Sequence, residues 1–115
     1  MSALSEISSL ISGLDIPVET GLFSGPAPDA YTVLVPISDN FDLHADNGPE
    51  VDIQEVRVSI YTKGSYTGLK NSITAGLLRA GFTVTDRRYI GFEPETGYHH
   101  YAVDAAKYYL FESED

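Results

Sequence analysis

Residues 51–81 read VDIQEVRVSIYTKGSYTGLKNSITAGLLRAG, and a change of rhythm inside them decides the fold class. Up to Thr62 the apolar side chains of Val56, Val58 and Ile60 recur at every second position, the period of a strand. After Lys63-Gly64-Ser65 they recur at spacings of three and four, at Tyr66, Leu69, Ile73, Leu77 and Ala80, which is one stripe of a helix. Ser65 is expected to cap that helix, and Gly81 stands where a left-handed residue closes one. Gly68 and Gly76 each weaken a helix by about 1 kcal/mol relative to Ala, a cost that close packing on a sheet would explain. The strand's phase slips, because Val51 and Ile53 are odd while Val56, Val58 and Ile60 are even, so a bulge is expected near Gln54-Glu55.

Toward the N-terminus, Leu4, Ile7, Leu10, Ile11 and Leu14 form a second helical stripe, with Ser2 as its cap and Gly13 as its stop. Ile16 to Thr20 reads as a short edge strand, since Pro17 cannot donate to a ladder. Gly21 to Asp29 is turn punctuation, and Ala30 to Ile37 alternates as a strand. Residues 38–50 read as a polar, flexible loop with Phe41 and Leu43 as isolated apolar residues and Asn47-Gly48-Pro49 as a turn. Toward the C-terminus, Phe82 to Phe92 alternates with Val84, Ile90 and Phe92 in one phase, and Glu93 to Gly97 is a loop. Tyr98 to Phe111 is a long strand, apolar in both phases: Tyr101, Val103, Ala105, Tyr109 and Phe111 in one, Ala102, Ala106, Tyr108 and Leu110 in the other. Residues 113–115 are expected to fray. The whole is expected to be a single α+β domain over residues 1–115, a mixed, mostly antiparallel sheet with two helices packed on one face.

The chain has 115 residues, a formal charge of -10 and no cysteine. Disulfides, thiolate metal sites and cysteine nucleophiles are thereby excluded. No apolar run approaches the ~18 residues of a membrane span, so no membrane partner is expected. The N-terminal stretch lacks the basic and apolar regions of a secretory signal. Residues 1–56 hold ten acids and no Lys or Arg, whereas residues 57–115 hold seven charges of each sign. Such a balance argues against wrapping nucleic acid, which needs Lys and Arg on the phosphates. The asymmetry reads as a solvated face, as an acidic half offered to a neighbouring copy's basic residues, or as acids around a common channel, the last opposed by like-charge repulsion.

The residues that could carry chemistry do not assemble into a motif. His99 and His100 are adjacent on a strand and point to opposite faces, so one ion cannot easily take both. Asp39, Asp42, Asp46 and Glu50 resemble a calcium loop only loosely: counted from Asp42, position three is His44, the glycine comes one residue late, and position twelve is Ile53. Lys63-Gly64-Ser65 lacks the upstream glycine of a phosphate loop, Val58 standing in its place. No Gly-x-Ser-x-Gly is present and no Ser/His/Asp set can be nominated. Tyr98, Tyr101, Tyr108 and Tyr109 would need accompanying positive charge to stack single-stranded nucleic acid. No enzyme activity, cofactor or metal is expected.

Ile16-Pro17-Val18 before Gly21-Leu22-Phe23, a strand running into Ser38-Asp39-Asn40-Phe41 and Ala45-Asp46-Asn47, and Val56 to Thr62 ending in Tyr61-Thr62-Lys63 resemble the small tail-completion proteins of phages and prophages with long, non-contractile tails. The resemblance covers residues 10–112 and includes the second helix, its Gly81-Phe82 exit and the closing strand. It implies a tail terminator, or tail-to-head joining protein, of the virion: a ring, usually of six copies, on the head-proximal end of the tail tube. Such a ring ends tube polymerisation and presents a surface to the head connector, while DNA passes through its channel without specific binding. The implied partners are further copies of the chain, the tail tube protein and the connector. Asp39, Phe41, Leu43, Asp46 and Asn47 on the loop, and Tyr101 and Tyr109 on the last strand, are the expected subunit or tube contacts. An extended loop with a lone aromatic is often functional, although Phe41 tucked on its own core is the competing expectation. Two other classes stand beside this one, an acidic mimic of DNA that inhibits a nucleic-acid enzyme and a small α+β ligand-binding domain.

Overall fold

A computed structural model describes residues 2–42 and 51–110, and residues 39–42 by their backbone. The element order is α1 (Ala3–Gly13), β1 (Val18–Thr20), β2 (Ala30–Asp42), β3 (Val51–Thr62), α2 (Thr67–Arg79), β4 (Thr83–Glu93) and β5 (Tyr98–Leu110). The strands form one sheet in the order β1-β2-β3-β5-β4. Only β1 and β2 run parallel; the remaining neighbours are antiparallel. The fold is α+β with a mixed, mostly antiparallel sheet, as the alternation of rhythms predicts. The chain leaves β3 through α2 to the far edge at β4, and β5 returns between them.

Local chemistry sets the helix ends. The Ser2 hydroxyl accepts from the Ser5 amide at 3.2 Å, and the Ser5 hydroxyl accepts in turn from the Ser2 amide at 3.4 Å, which satisfies two donors left over at the start of α1. Gly13 is the last helical residue, but Asp15 makes the left-handed exit at φ 61°. At α2 the cap position belongs to Tyr66 rather than Ser65, whose hydroxyl accepts from the Thr67 amide at 3.4 Å from one residue further back. Gly81, at φ 90°, closes α2 in a conformation that side chains with a Cβ avoid.

Both helices cover one face of the sheet. Ile7 and Ile11 of α1 and Ile73 and Leu77 of α2 are buried with Leu34, Val56, Val58, Ile60, Val103 and Ala105 of the strands. The expectation that the helical glycines serve helix-on-sheet packing is corrected. A Cβ at Gly76 would lie 2.9 Å from Leu10 Cδ2, so this glycine admits the other helix, and a Cβ at Gly68 would meet open space.

Two further expectations change. The bulge expected near Gln54-Glu55 falls on the partner strand instead, at Ile37 of β2, where the register steps from Pro36 opposite Val56 to Ser38 opposite Glu55. β3 itself stays regular, and its odd residues Val51 and Ile53 lie on the helix-free face, paired with Leu110 and Tyr108. The polar stretch 38–50 does not begin as a loop, because β2 runs on to Asp42 and pairs with Val51. Backbone pairing to a strand with free partners outweighs the weak β-propensity of Ser38-Asp39-Asn40. The turn at 47–49 and the C-terminal residues 111–115 lie outside the described residues.

Candidate functional site

The helix-free face of the sheet divides into three zones along the strands. At one end Tyr31, Tyr61 and His100 stack across β2, β3 and β5, with centroids 5.0 and 4.3 Å apart. The segment between β1 and β2 folds over this end: Phe23 packs on Tyr31 at 4.7 Å, and the Tyr98 hydroxyl donates to the Pro28 carbonyl at 2.6 Å. In the middle, Arg57 grips Asp104 in two parallel bonds, Nε to Oδ1 at 2.8 Å and Nη2 to Oδ2 at 3.0 Å. Glu55 accepts from Thr85 across Ala106, whose small side chain leaves the path open. At the far end Tyr108 and Leu110 are 72 % and 67 % exposed beside Ile53 and Val51. There β4 has already stopped, Thr83 being its last partner for β5, at Ala106. The step leaves a shallow groove of about 410 Å³ along Ile53, Gly81, Thr83, Thr85, Ala106, Lys107 and Tyr108.

The expected contact residues fall in different places. Tyr101 faces the helices and is only 9 % exposed, stacked on Tyr66 at 5.1 Å with the Lys70 ammonium 5.4 Å from its ring centre. Tyr109 also faces the helices, and its hydroxyl donates to Glu6 Oε1 at 2.6 Å. Both make these contacts within the subunit, while their neighbours in the other phase, Tyr108 and Leu110, are exposed. Both phases of this strand are apolar, and only the position of the helices decides which is covered. Asp39 and Phe41 belong to β2, opposite Gln54 and Asp52, and are described by backbone alone. Leu43, Asp46 and Asn47 lie outside the described residues.

His99 and His100 do point apart. His99 lies on the helix side against Phe92 at 4.8 Å, its Nδ1 3.0 Å from the Tyr89 hydroxyl, while His100 stacks on Tyr61 on the other side. Among the described residues no three His, Asp or Glu side chains gather in a form that could hold a metal ion. No helix among them is long and apolar enough to cross a membrane.

Among the described residues, two groups that titrate below neutrality, His100 and Glu6, are shifted by the fold. The His100 Nε2 is buried with no hydrogen-bond partner among the described residues. Burial pulls this imidazole below its ordinary value of 6.5; Glu93 opposes the shift and Arg57 adds to it. The unfolded chain therefore takes up a proton first, so stability is expected to fall as pH drops through about 6.5 and to level off below the folded-state value. Burial would push the Glu6 carboxyl up, but the bonds from Tyr109 and Lys107 and the Lys107 charge outweigh it and hold it below its ordinary value. Its contribution is complete above the ordinary carboxylate range and is lost as pH falls through the lowered value. Urea midpoints across this range should show two separate steps, and His100→Phe should remove the upper one alone.

No protein-family model matches the chain, and no curated protein does. Among solved structures, a chain of the virion of a native gene transfer agent (GTA) particle matches with a TM-score of 0.53 and 11 % sequence identity, over 84 % of this chain and 81 % of that one. At that identity the likeness is one of fold: the same arrangement of helices and sheet, over most of both chains.

Proposed function

We propose that the chain is a structural virion protein of a phage-like particle, acting as the ring that caps the head-proximal end of the tail tube. The observation that carries the virion reading is the shared fold with a chain of a gene transfer agent virion, over most of both chains. The finer assignment is supported by the resemblance of residues 10–112 to tail-completion proteins, which rests on different features of the chain. The surface geometry also favours it over a DNA mimic. A mimic needs its acids spread over one long face, whereas residues 57–115, which include α2, β4 and β5, balance seven acids with seven cations.

In this reading the protein converts no substrate. It works by shape: copies join through two different surfaces until the rotation closes, one rim fits the last tube ring, and the other meets the head connector. Exposed Tyr108 and Leu110, with Ile53 beside them, offer an apolar rim for one of these contacts, next to a groove of mixed polarity. Deleting the gene from a particle-producing genome is expected to give tubes of variable, excessive length and heads without tails, scored by electron microscopy. Tails of normal length that still join heads would overturn the assignment.

A further inference from the structure

The strand order sorts charge by edge. β1 and β2 occupy one edge and, like α1 on the face beside them, contain no Lys or Arg; Asp15, between α1 and β1, is exposed there, and Glu19 is half-buried with its carboxylate accepting from the Ser24 amide and hydroxyl at 2.8 and 2.9 Å. α2 and β4 occupy the opposite edge and carry Lys70, Arg79, Arg87 and Arg88 against Asp86 and Glu93. Asp86 is already held by Arg88 at 3.5 Å, while Arg79 and Arg87 have no carboxylate partner among the described residues. Both edges expose apolar side chains as well. Tyr89, Ile90 and Phe92 crowd the β4 edge, and Leu22, just after β1, is 83 % exposed. Arg and aromatic residues are the types that concentrate at protein contacts.

The outer side of β4 has no strand partner among the described residues. Its ladder with β5 is broken twice, between Val84 and Asp86 and between Tyr89 and Gly91. Bulges of this kind blunt an edge against the addition of a long strand, so a partner must meet side chains rather than backbone. The second bulge is also what places Ile90 on the rim, outside the alternation of the ladder.

We propose that the β4 edge of one copy docks on the α1–β1 edge of the next, head to tail. Arg87 and the Tyr89-Ile90-Phe92 patch meet Asp15, Glu19 and Leu22 of the neighbour. The occupant is a second copy of this chain, since one edge supplies the charge the other lacks and each brings apolar surface to the joint. The contact is heterologous and so propagates instead of stopping at a pair. This inference rests on the ring reading and assigns its joint; the N-terminal acids then serve the contact between subunits rather than a channel wall.

The chain has no cysteine, so introduced thiols report on single positions. Ile90→Cys and Leu22→Cys proteins, mixed and oxidised at low salt, are expected to form disulfide-linked pairs, and neither should do so alone. Adding Arg87→Glu, or raising salt from about 0.01 M to about 0.5 M, should lower the yield by about tenfold as the attraction is reversed or screened. Pairing of Ile90→Cys with itself would overturn the proposal in favour of a symmetric contact. Multimers in sedimentation with no disulfide in the mixture would overturn it and leave the ring reading standing. A chain that neither sediments as a multimer nor cross-links, alone or on tail tubes, would overturn both.

Discussion

Arg57→Met is expected to lower the unfolding free energy by about 3 kcal/mol, near the lower end of the range for breaking a buried pair from one side. The carboxylate left behind explains the size. Asp104 has a side chain 7 % exposed, and both its oxygens are bound by Arg57. Its cross-strand neighbour on β4 is Asp86, a like charge already turned to Arg88. Without the guanidinium Asp104 remains desolvated and unpaired. Arg57 is itself 29 % exposed, so water reaches the site and holds the loss below what a dry interior would give. The Asp104 bonds also raise the affinity of Arg57 for its proton, against the opposing effect of burial. Replacing both partners, Arg57→Met with Asp104→Leu, should recover most of the loss, because no charge is then buried alone. Urea unfolding of the two single variants and the double measures the difference directly; equal losses in the double and the singles would show that the pair contributes shape and not charge compensation.

Ile60→Ala is expected to cost about 2–5 kcal/mol, and Ile53→Ala less than about 1 kcal/mol, although both sit on β3. Ile60 lies under the helices, fully buried between Thr32 of β2 and Tyr101 of β5. Its truncation leaves a cavity that the two helices, already touching at Gly76 and Leu10, cannot close. Ile53 lies on the uncovered face, half-buried beside exposed Tyr108. Since unfolding free energies are typically about 5–15 kcal/mol, the first substitution removes a large fraction of stability and the second leaves the fold intact. Ile53→Ala is therefore the variant for testing the apolar rim: attachment to the tube or connector should weaken while the urea midpoint barely moves. Comparable destabilisation by both would contradict the assignment of β3's two faces.

The periodicities carried the elements well, because each is a property of a few neighbouring residues. α1 with its Ser2 cap, the alternation of β3 and the Gly81 exit are all local. What the sequence hid is long-range. The phase slip of Val51 and Ile53 was visible, but in a regular β3 it marks two apolar residues on the helix-free face, and the bulge sits on the partner strand at Ile37, which nothing in β3 could show. The insertion of β5 between β3 and β4 depends on pairing across tens of residues. Its consequence for exposure follows: Tyr101 and Tyr109 are as apolar as Tyr108 and Leu110, and the position of α1 and α2 decides which pair is covered. The charge asymmetry was legible at once, whereas its conversion into two opposed edges needed the strand order. The bulges of β4 left one trace in the sequence. Val84 and Phe92 keep the same phase only because two extra residues, Thr85 and Ile90, cancel each other.

The claim on which the rest depends is that this chain is a building block of a particle and acts in a closed ring. Electron cryo-microscopy of intact particles from a strain that produces the protein tests it most directly. The account expects density for several copies of this fold in one closed ring between the last tube ring and the head connector, β4 of each against α1–β1 of the next. Particles with normal tails and no copy of the chain in them would contradict it.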